Sequence, residues 1–342
     1  MGRSRRVLIA VSSLAVVVVA LIATARLVGA APPVTDTYFL MDTVLTVKTS
    51  GGDAGAINSR LHELAQEVES LTSYYVEDSD TTRVNKGAGS GPVQVSADYA
   101  ALLRTVLDVS QVSRGKVDIA ISPVSSLWGF TTKQFRIPSA DAIQSALAYS
   151  QHTQVKLSGQ AVSLQDRRAR IDLSGIAKGY SLDVMQRYLR TVSPQPRQVI
   201  VDFGGNLLLY SAGRKTDWKV GIRDPRGSGI IGYVRSGDAF VATSGDYERY
   251  FEQGGRRYCH IIDPATGFPS TANRSVTVIT QTGDLAGSVG DALGKAFFCS
   301  TADEQQGLFD LVDDRVLGVV VIAADGTERT LGPISLTRTA GT

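Results

Sequence analysis

The stretch RRYCHIIDPATGFPS, residues 256–270, places His260 at the end of a strand-like run. An Asp263-Pro264 break and a Thr266-Gly267 turn follow directly. The chain holds only three histidines. An imidazole titrates near neutrality and can take a proton from a hydroxyl, which makes His260 a candidate general base. His62 and His152 read as ordinary helix and loop residues. In RIDLSGIAKGYSLDVM, residues 170–185, a short strand ends at Leu173, Ser174-Gly175 turns the chain and a helix begins. Backbone N–H groups at a helix start favour anions, and Gly175 lets a phosphate come close. Lys178 falls in the first helical turn, where a cation opposes the helix dipole unless it faces an anion. In DLAGSVGDALGKAFF, residues 284–298, Asp291 and Lys295 are four apart and share a helix face. Ala286, Gly287, Gly290 and Gly294 keep that helix thin enough for something large to pack closely against it.

Other stretches admit both a ligand and an architectural reading. Gly204 and Gly205 interrupt the strand pattern VDFGGNLLLY, marking a bulge or the close approach of a backbone or ligand. Thr243 and Ser244 end a strand in VATSGDYERYFE, where their hydroxyls could bind a ligand or simply make a turn. GKVDIAISPVSSLWGF sets Asp118 and Trp128 in an apolar run, with the tryptophan suited to core or to a ligand platform. GSGIIG, residues 227–232, spells a dinucleotide fingerprint but runs into a strand rather than a helix, so it reads as a hairpin loop.

The elements that must position these groups follow from periodicity. Residues 38–50 alternate as one strand. Ile57, Leu61, Leu64, Val68 and Leu71 recur at helical spacing, and Ser96 and Ser139 can open two further helices. From about 154 to 282 short strands dominate, including ARIDL at 169–173, interrupted by a helix at about 176–193. Helices over 284–299 and near 302–312 and two closing strands complete the pattern. Strands grouped together with helices around them imply α+β rather than a doubly wound sheet.

Composition fits a packed globular body, with 43% hydrophobic and 20% charged residues. The first 31 residues carry Arg3, Arg5, Arg6 and Arg26 and no acid, so the rest of the chain is slightly acidic. That argues against nucleic acid as a partner. Val7–Ala25 lacks any charge and approaches the length of a membrane-crossing helix. The arginines orient it with a cytoplasmic N-terminus and an extracytoplasmic body at the cell membrane. Cleavage within residues 1–31 would release a secreted form. The reading is thus an anchor or signal peptide over 1–31, a linker over 32–37, one domain over 38–335 and a short tail over 336–342. Cys259 and Cys299 could pair outside the cytoplasm or stay as buried thiols.

Taken in order, FLMDTVLTV, ESLTSYYVEDSDTTRVN, GKVDIAISPVSSLWGF, IDLSGIAKGYSLD, VDFGGNLLL, WKVGIRDP, ATSGDYERYF and YCHIIDPATGFP resemble the blocks of the ApbE-type FAD:protein FMN transferases. The resemblance implies a single ApbE-like α+β domain. It also implies cleavage of the FAD pyrophosphate, release of AMP and attachment of FMN through a phosphoester to a Ser or Thr hydroxyl of an acceptor protein. By motif it carries Met41, Asp118, Gly175, Lys178, Gly204, Gly205, Thr243, Ser244 and Ile262 to FAD, His260 to the acceptor hydroxyl, and Asp291 with the Ala177 carbonyl to Mg²⁺. One departure stands out: the family commonly has Thr four residues after the aspartate, and this chain has Lys295. That lysine either weakens metal binding or replaces the ion in part. It leaves two alternatives to transfer, a non-catalytic FAD-binding protein and an FAD pyrophosphatase that uses water.

Overall fold

Helix starts are set by side chains that accept backbone hydrogen bonds. Asp53, Ser79, Ser96 and Ser139 each take an N–H three residues on, supplying acceptors that a helix's first turn otherwise lacks. The computed structural model describes residues 32–312 and 314–339. The elements begin with β1 (Val34–Leu40), β2 (Thr43–Ser50), α1 (Ala54–Thr72), α2 (Asp80–Lys86), β3 (Val93–Gln94) and α3 (Ala97–Val112). Then come α4 (Ser122–Trp128), α5 (Ala140–Leu147), β4 (Val155–Ser158), β5 (Ala161–Leu164) and α6 (Ala177–Thr191). A strand-rich run follows: β6 (Gln198–Phe203), β7 (Asn206–Tyr210), β8 (Trp218–Arg223), β9 (Ile230–Ser236), β10 (Ala239–Gly245), β11 (Tyr250–Gln253), β12 (Arg256–Cys259) and β13 (Asn273–Gln281). The order closes with α7 (Ala286–Phe298), α8 (Ala302–Phe309), β14 (Val316–Ala323), β15 (Glu328–Leu331) and β16 (Thr337–Arg338).

The largest sheet runs β1-β2-β6-β7-β10-β13-β14-β15, and its pairings are antiparallel. Alternation along each strand divides the core between its two faces. Leu45, Val47 and Phe240 meet Ile57 and Leu61 of α1 and Leu182 and Met185 of α6. Val276 and Val278 meet Leu293 and Phe297 of α7. On the opposite face, Leu207, Val241 and Ile279 pack against Trp218, Val220 and Val234 of a smaller sheet, β16-β9-β8. The α+β architecture with mostly antiparallel strands is therefore the one the sequence implies. The apolar run Val7–Ala25 lies outside the described residues. Within them, no helix is long and apolar enough to cross a membrane.

Local departures from the sequence reading have identifiable causes. Residues 38–50 form a hairpin, not one strand, because Met41 and Asp42 both take left-handed backbone angles (φ 50° and 59°). Such angles suit a two-residue hairpin turn. Residues 169–173 form no strand, because a side chain substitutes for a neighbouring strand. Asn85 donates to Ile171 O and accepts from Ile171 N, at 2.9 and 2.8 Å. Residues 227–229 lie in the loop that closes the β8–β9 hairpin, with Asp224 N donating to Gly229 O at 2.9 Å, whereas 230–232 already belong to β9. The aromatic run at 250–253, passed over in the sequence, is β11, the partner of β12.

Helices α6 and α7 cross through glycines. A Cβ on Gly179 would lie 2.4 Å from Gly287 O and 2.7 Å from Asp291 Cβ, and one on Gly287 would lie 2.6 Å from Gly179 O. Gly179→Val should therefore lower stability by about 1–3 kcal/mol through overpacking. Gly307→Ala is the contrast: its Cβ would meet nothing within 4 Å in α8, so it should gain up to about 1 kcal/mol from helix propensity. Urea unfolding of the two variants checks both signs.

Candidate active site

The crossing of α6 and α7 fixes the carboxylate at its centre. Neither helix is capped by its own N-cap side chain. Each is capped by an aspartate of the other. Asp183 of α6 accepts from Gly287 N, Ser288 N and Ser288 Oγ at 2.7, 2.8 and 2.6 Å. Asp291 of α7 accepts from Gly179 N of α6 at 3.0 Å. Burial pushes the Asp183 carboxyl up to about 7, against the three donors that hold it down. Asp291 is as deeply buried and has a second donor, Asn206 Nδ2, at 2.8 Å on the same oxygen. Its other oxygen takes the Lys295 ammonium, which also donates to the Asp291 backbone carbonyl at 3.0 Å. The Lys295 stem passes over Gly175: a Cβ there would lie 3.3 Å from Lys295 Cε.

Two tight turns close on the start of α6. Gly204 and Gly205, both left-handed, join β6 to β7. A Cβ on Gly204 would lie 2.5 Å from Thr43 Oγ1, so this turn packs against the Met41-Asp42 turn. Met41 is half-buried where the two main apolar clusters meet. Lys178 reaches across to Gly204 O at 3.4 Å. Desolvation lowers its pKa, partly opposed by the Asp291 charge. Burial raises the nearby Asp202 carboxyl to about 6, while Gly205 N donates to it at 2.9 Å.

His260 follows the last residue of β12. Its backbone N–H donates to Arg249 O at 2.9 Å, and its Nδ1 lies 3.2 Å from the same carbonyl. A carbonyl can only accept, so Nδ1 carries the proton and Nε2 presents the lone pair. Desolvation, then the charges of Arg249, Lys295 and Lys178, push the ring down to about 3. The ring is therefore neutral and, with these charges unopposed, a weak base; an anion bound among them would raise its basicity. The turn after it is held by Trp128, whose Nε1 donates to Gly267 O at 2.8 Å. Trp128 is fully buried against Tyr258, Phe251 and Phe268, so it is core and not a ligand platform.

The structure thus gathers Gly175, Lys178, Gly204, Gly205, Asp291 and His260 around one region, with Met41 at its border. It places others differently. Both Asp118 oxygens are taken: one by Ala120 N at 2.8 Å, the other by His152 N and Nδ1 at 2.6 and 3.0 Å. Asp118 is a buried anchor, and the hydrogen bond to it raises the pKa of His152, which is no bystander. Thr243 and Ser244 point to opposite faces of β10. Thr243 Oγ1 pairs with Thr277 Oγ1 at 3.0 Å, whereas Ser244 faces Gly294 of α7. Only Ser244 is therefore on the α7 side. The Ile262 side chain is packed with Val124 and Trp128 in an apolar cluster. Cys259 and Cys299 are buried free thiols, and burial pushes Cys259 up to about 12. Sequence reasoning missed Asn206, Asp183 and Arg249. The polar residue directly after a Gly-Gly turn was the available signal for the first; the other two carried none.

As arranged, these residues do not fit a resident Mg²⁺, which keeps several waters but needs one or two free carboxylate oxygens beside the substrate phosphates. Both Asp291 oxygens are engaged by donors, and Ala177 O accepts from Ser181 Oγ at 2.8 Å. Asn206 Oδ1 is a buried acceptor without a partner. Among the described residues no group of three or more His, Cys, Asp or Glu side chains could hold a metal ion. On the Asp291 carboxylate, where the resemblance implies a metal with the Ala177 carbonyl, the Lys295 ammonium is seated.

Comparison with known proteins decides the kinship. The family model described as "ApbE family" matches residues 41–316. The chain belongs to the ApbE family. It is 34% identical over 293 residues to the FAD:protein FMN transferase of Treponema pallidum, covering 77% of this chain and 80% of that one. The Vibrio cholerae protein of the same name is 31% identical over 231 residues, covering 66% and 68%. Among solved structures, the ApbE protein of Thermotoga maritima matches with a TM-score of 0.79 at 27% identity, over 87% of this chain and 96% of that one. The fold is thus that of an ApbE-family member.

Two measurements check the site's physics. In FAD-free protein the His260 ring resonances should stay flat from pH 8 down to about 5, because the folded ring titrates near 3. The folded state then binds fewer protons than the unfolded chain, so this residue's contribution to stability falls as pH drops from about 6.5 toward 3. A ring that titrates near 6.5 would contradict the arrangement. Asp183→Ala should cost about 3 kcal/mol by stranding buried donors at the start of α7, read as a lowered Tm.

Proposed function

We propose that this ApbE-family chain is an FAD:protein FMN transferase. It would cleave the FAD pyrophosphate and attach FMN to a Ser or Thr hydroxyl of an acceptor protein. The observation that carries the reading is the neutral His260 beside Lys178, Lys295 and Arg249, at a floor of glycine turns. A hydroxyl is a poor nucleophile near neutral pH and gains from a positioned base. Nε2 of His260 takes the hydroxyl proton as the oxygen bonds to the FMN-side phosphorus. The phosphorus–oxygen bond toward AMP breaks, and AMP leaves with the electron pair. Charge grows on the leaving phosphate, where fixed cations in a partly dry cleft act most strongly. Lys178, already partly desolvated, loses little further hydration on meeting the diphosphate. The diphosphate's negative charge would in turn raise the His260 pKa from its FAD-free value, helping the ring hold the proton it takes.

We also propose that residues 1–31 anchor or export the protein and that the body works outside the cytoplasm. The basis is the Arg-flanked apolar run alone. The partners are then FAD, an acceptor protein and, through that segment, the membrane. Mg²⁺, which the resemblance implies, would have to displace the Lys295 ammonium from Asp291.

Incubation with FAD and cell-envelope proteins, followed by in-gel flavin fluorescence and AMP quantification, tests the activity. A covalently fluorescent acceptor with equimolar AMP is the expected result. AMP without labelling would mean hydrolysis, and bound FAD with neither would mean a binding protein. His260→Ala should keep FAD binding and lose about 10²-fold or more in transfer. Lys178→Ala should weaken FAD binding, measured by flavin fluorescence quenching.

A further inference from the structure

We propose that Lys295 is the catalytic cation of this chain: its ammonium, held by Asp291, contacts the FAD diphosphate and makes the reaction independent of a divalent metal. The inference deepens the transferase reading and rests on it. Three observations carry it. First, Lys295 Nζ spends two of its three donors on Asp291, one on the carboxylate and one on the backbone carbonyl. The third has no hydrogen-bond partner among the described residues, and the side chain is 19% exposed. An ammonium has three donors and no acceptor, so the remaining N–H is available to an anionic oxygen. Second, the stem lies against Gly175, at the turn where α6 starts, so the charge sits at the helix end that itself favours anions. Third, Lys295 acts electrostatically on both Lys178 and His260. The ammonium therefore belongs to the same cluster as the base and the second cation.

The bland role of an i,i+4 pair is worth only a few tenths of a kcal/mol on a solvated helix. This pair is not on such a surface: Asp291 is almost wholly buried. Asp291 also caps α6 through Gly179 and holds Asn206. The carboxylate therefore fixes the ammonium as rigidly as the helix crossing fixes the carboxylate. A charge held in this way needs little reorganisation when the leaving phosphate gains its own.

The test compares wild type with Lys295→Thr and Lys295→Met, each exhaustively treated with EDTA. Transfer and AMP release are then followed in EDTA and in millimolar Mg²⁺. Mn²⁺ binding is measured separately by electron paramagnetic resonance, and Tm confirms that each variant is folded. Wild type should transfer at the same rate, within about twofold, with and without Mg²⁺, and should bind no stoichiometric Mn²⁺. Both variants should fall about 10²-fold in EDTA. Lys295→Thr, which frees Asp291, should bind one Mn²⁺ and recover activity with Mg²⁺. A wild type that needs Mg²⁺, or that binds Mn²⁺ stoichiometrically, overturns the inference while leaving the transferase reading intact. If no preparation releases AMP or labels protein, the transferase reading falls, and Mn²⁺ binding by the wild type alone decides whether Lys295 excludes the metal.

Discussion

Everything in the centre depends on two helices that cap each other. Asp183 leaves α6 to satisfy the first N–H groups of α7, and Asp291 leaves α7 to satisfy one of α6. The exchange is possible only because Gly179 and Gly287 let the two backbones nearly touch. A side chain on either would part the helices by more than a hydrogen bond tolerates. Rigid placement of Asp291 follows, and with it the position of Lys295 and of the Asn206 amide.

The rest of the fold serves that crossing. The eight-stranded sheet offers α6 and α7 a continuous apolar floor, and the second sheet covers its other face. The hairpin turns at 41–42 and 204–205 pack together, and the second brings the Gly204 carbonyl within reach of Lys178. The Trp128 cluster plays the same part for His260. It packs β11 and β12 and ties down the turn that follows, so the ring is presented by a braced hairpin rather than by a loose loop.

Much of this was legible in the sequence, for physical reasons that differ by residue. Periodicity exposed α1, α3 and the strand-rich middle, because burial on one face leaves a regular trace. Glycines at 204 and 205 stood out because little else adopts such left-handed angles. What the sequence did not show was non-local or lay inside one residue's neighbourhood. Asp118 reads as a ligand from its motif, and the sequence gives no sign that His152 and the Ala120 amide hydrogen-bond to its oxygens. Thr243 was grouped with Ser244 because adjacency in sequence hides the alternation of faces. Ile171 lost its strand to Asn85, a partner 86 residues away. Asp183 gave no signal at all, since a cap donated from another helix has no local signature.

The mutual caps also bear on the order in which the protein can assemble. Gly179 and Asp291 are 112 residues apart, and Asp183 and Gly287 are 104 apart. Closing so long a loop is entropically costly before its contacts form, which slows folding of chains rich in such contacts. Strands β1 to β13 and the glycine turns precede α7, but the Asp291 carboxylate and the Lys295 ammonium arrive only with it, and β14 and β15 of the main sheet only after it. A nascent or truncated chain ending before Ala286 would carry every glycine turn and the histidine, yet would have no charged centre to organise them.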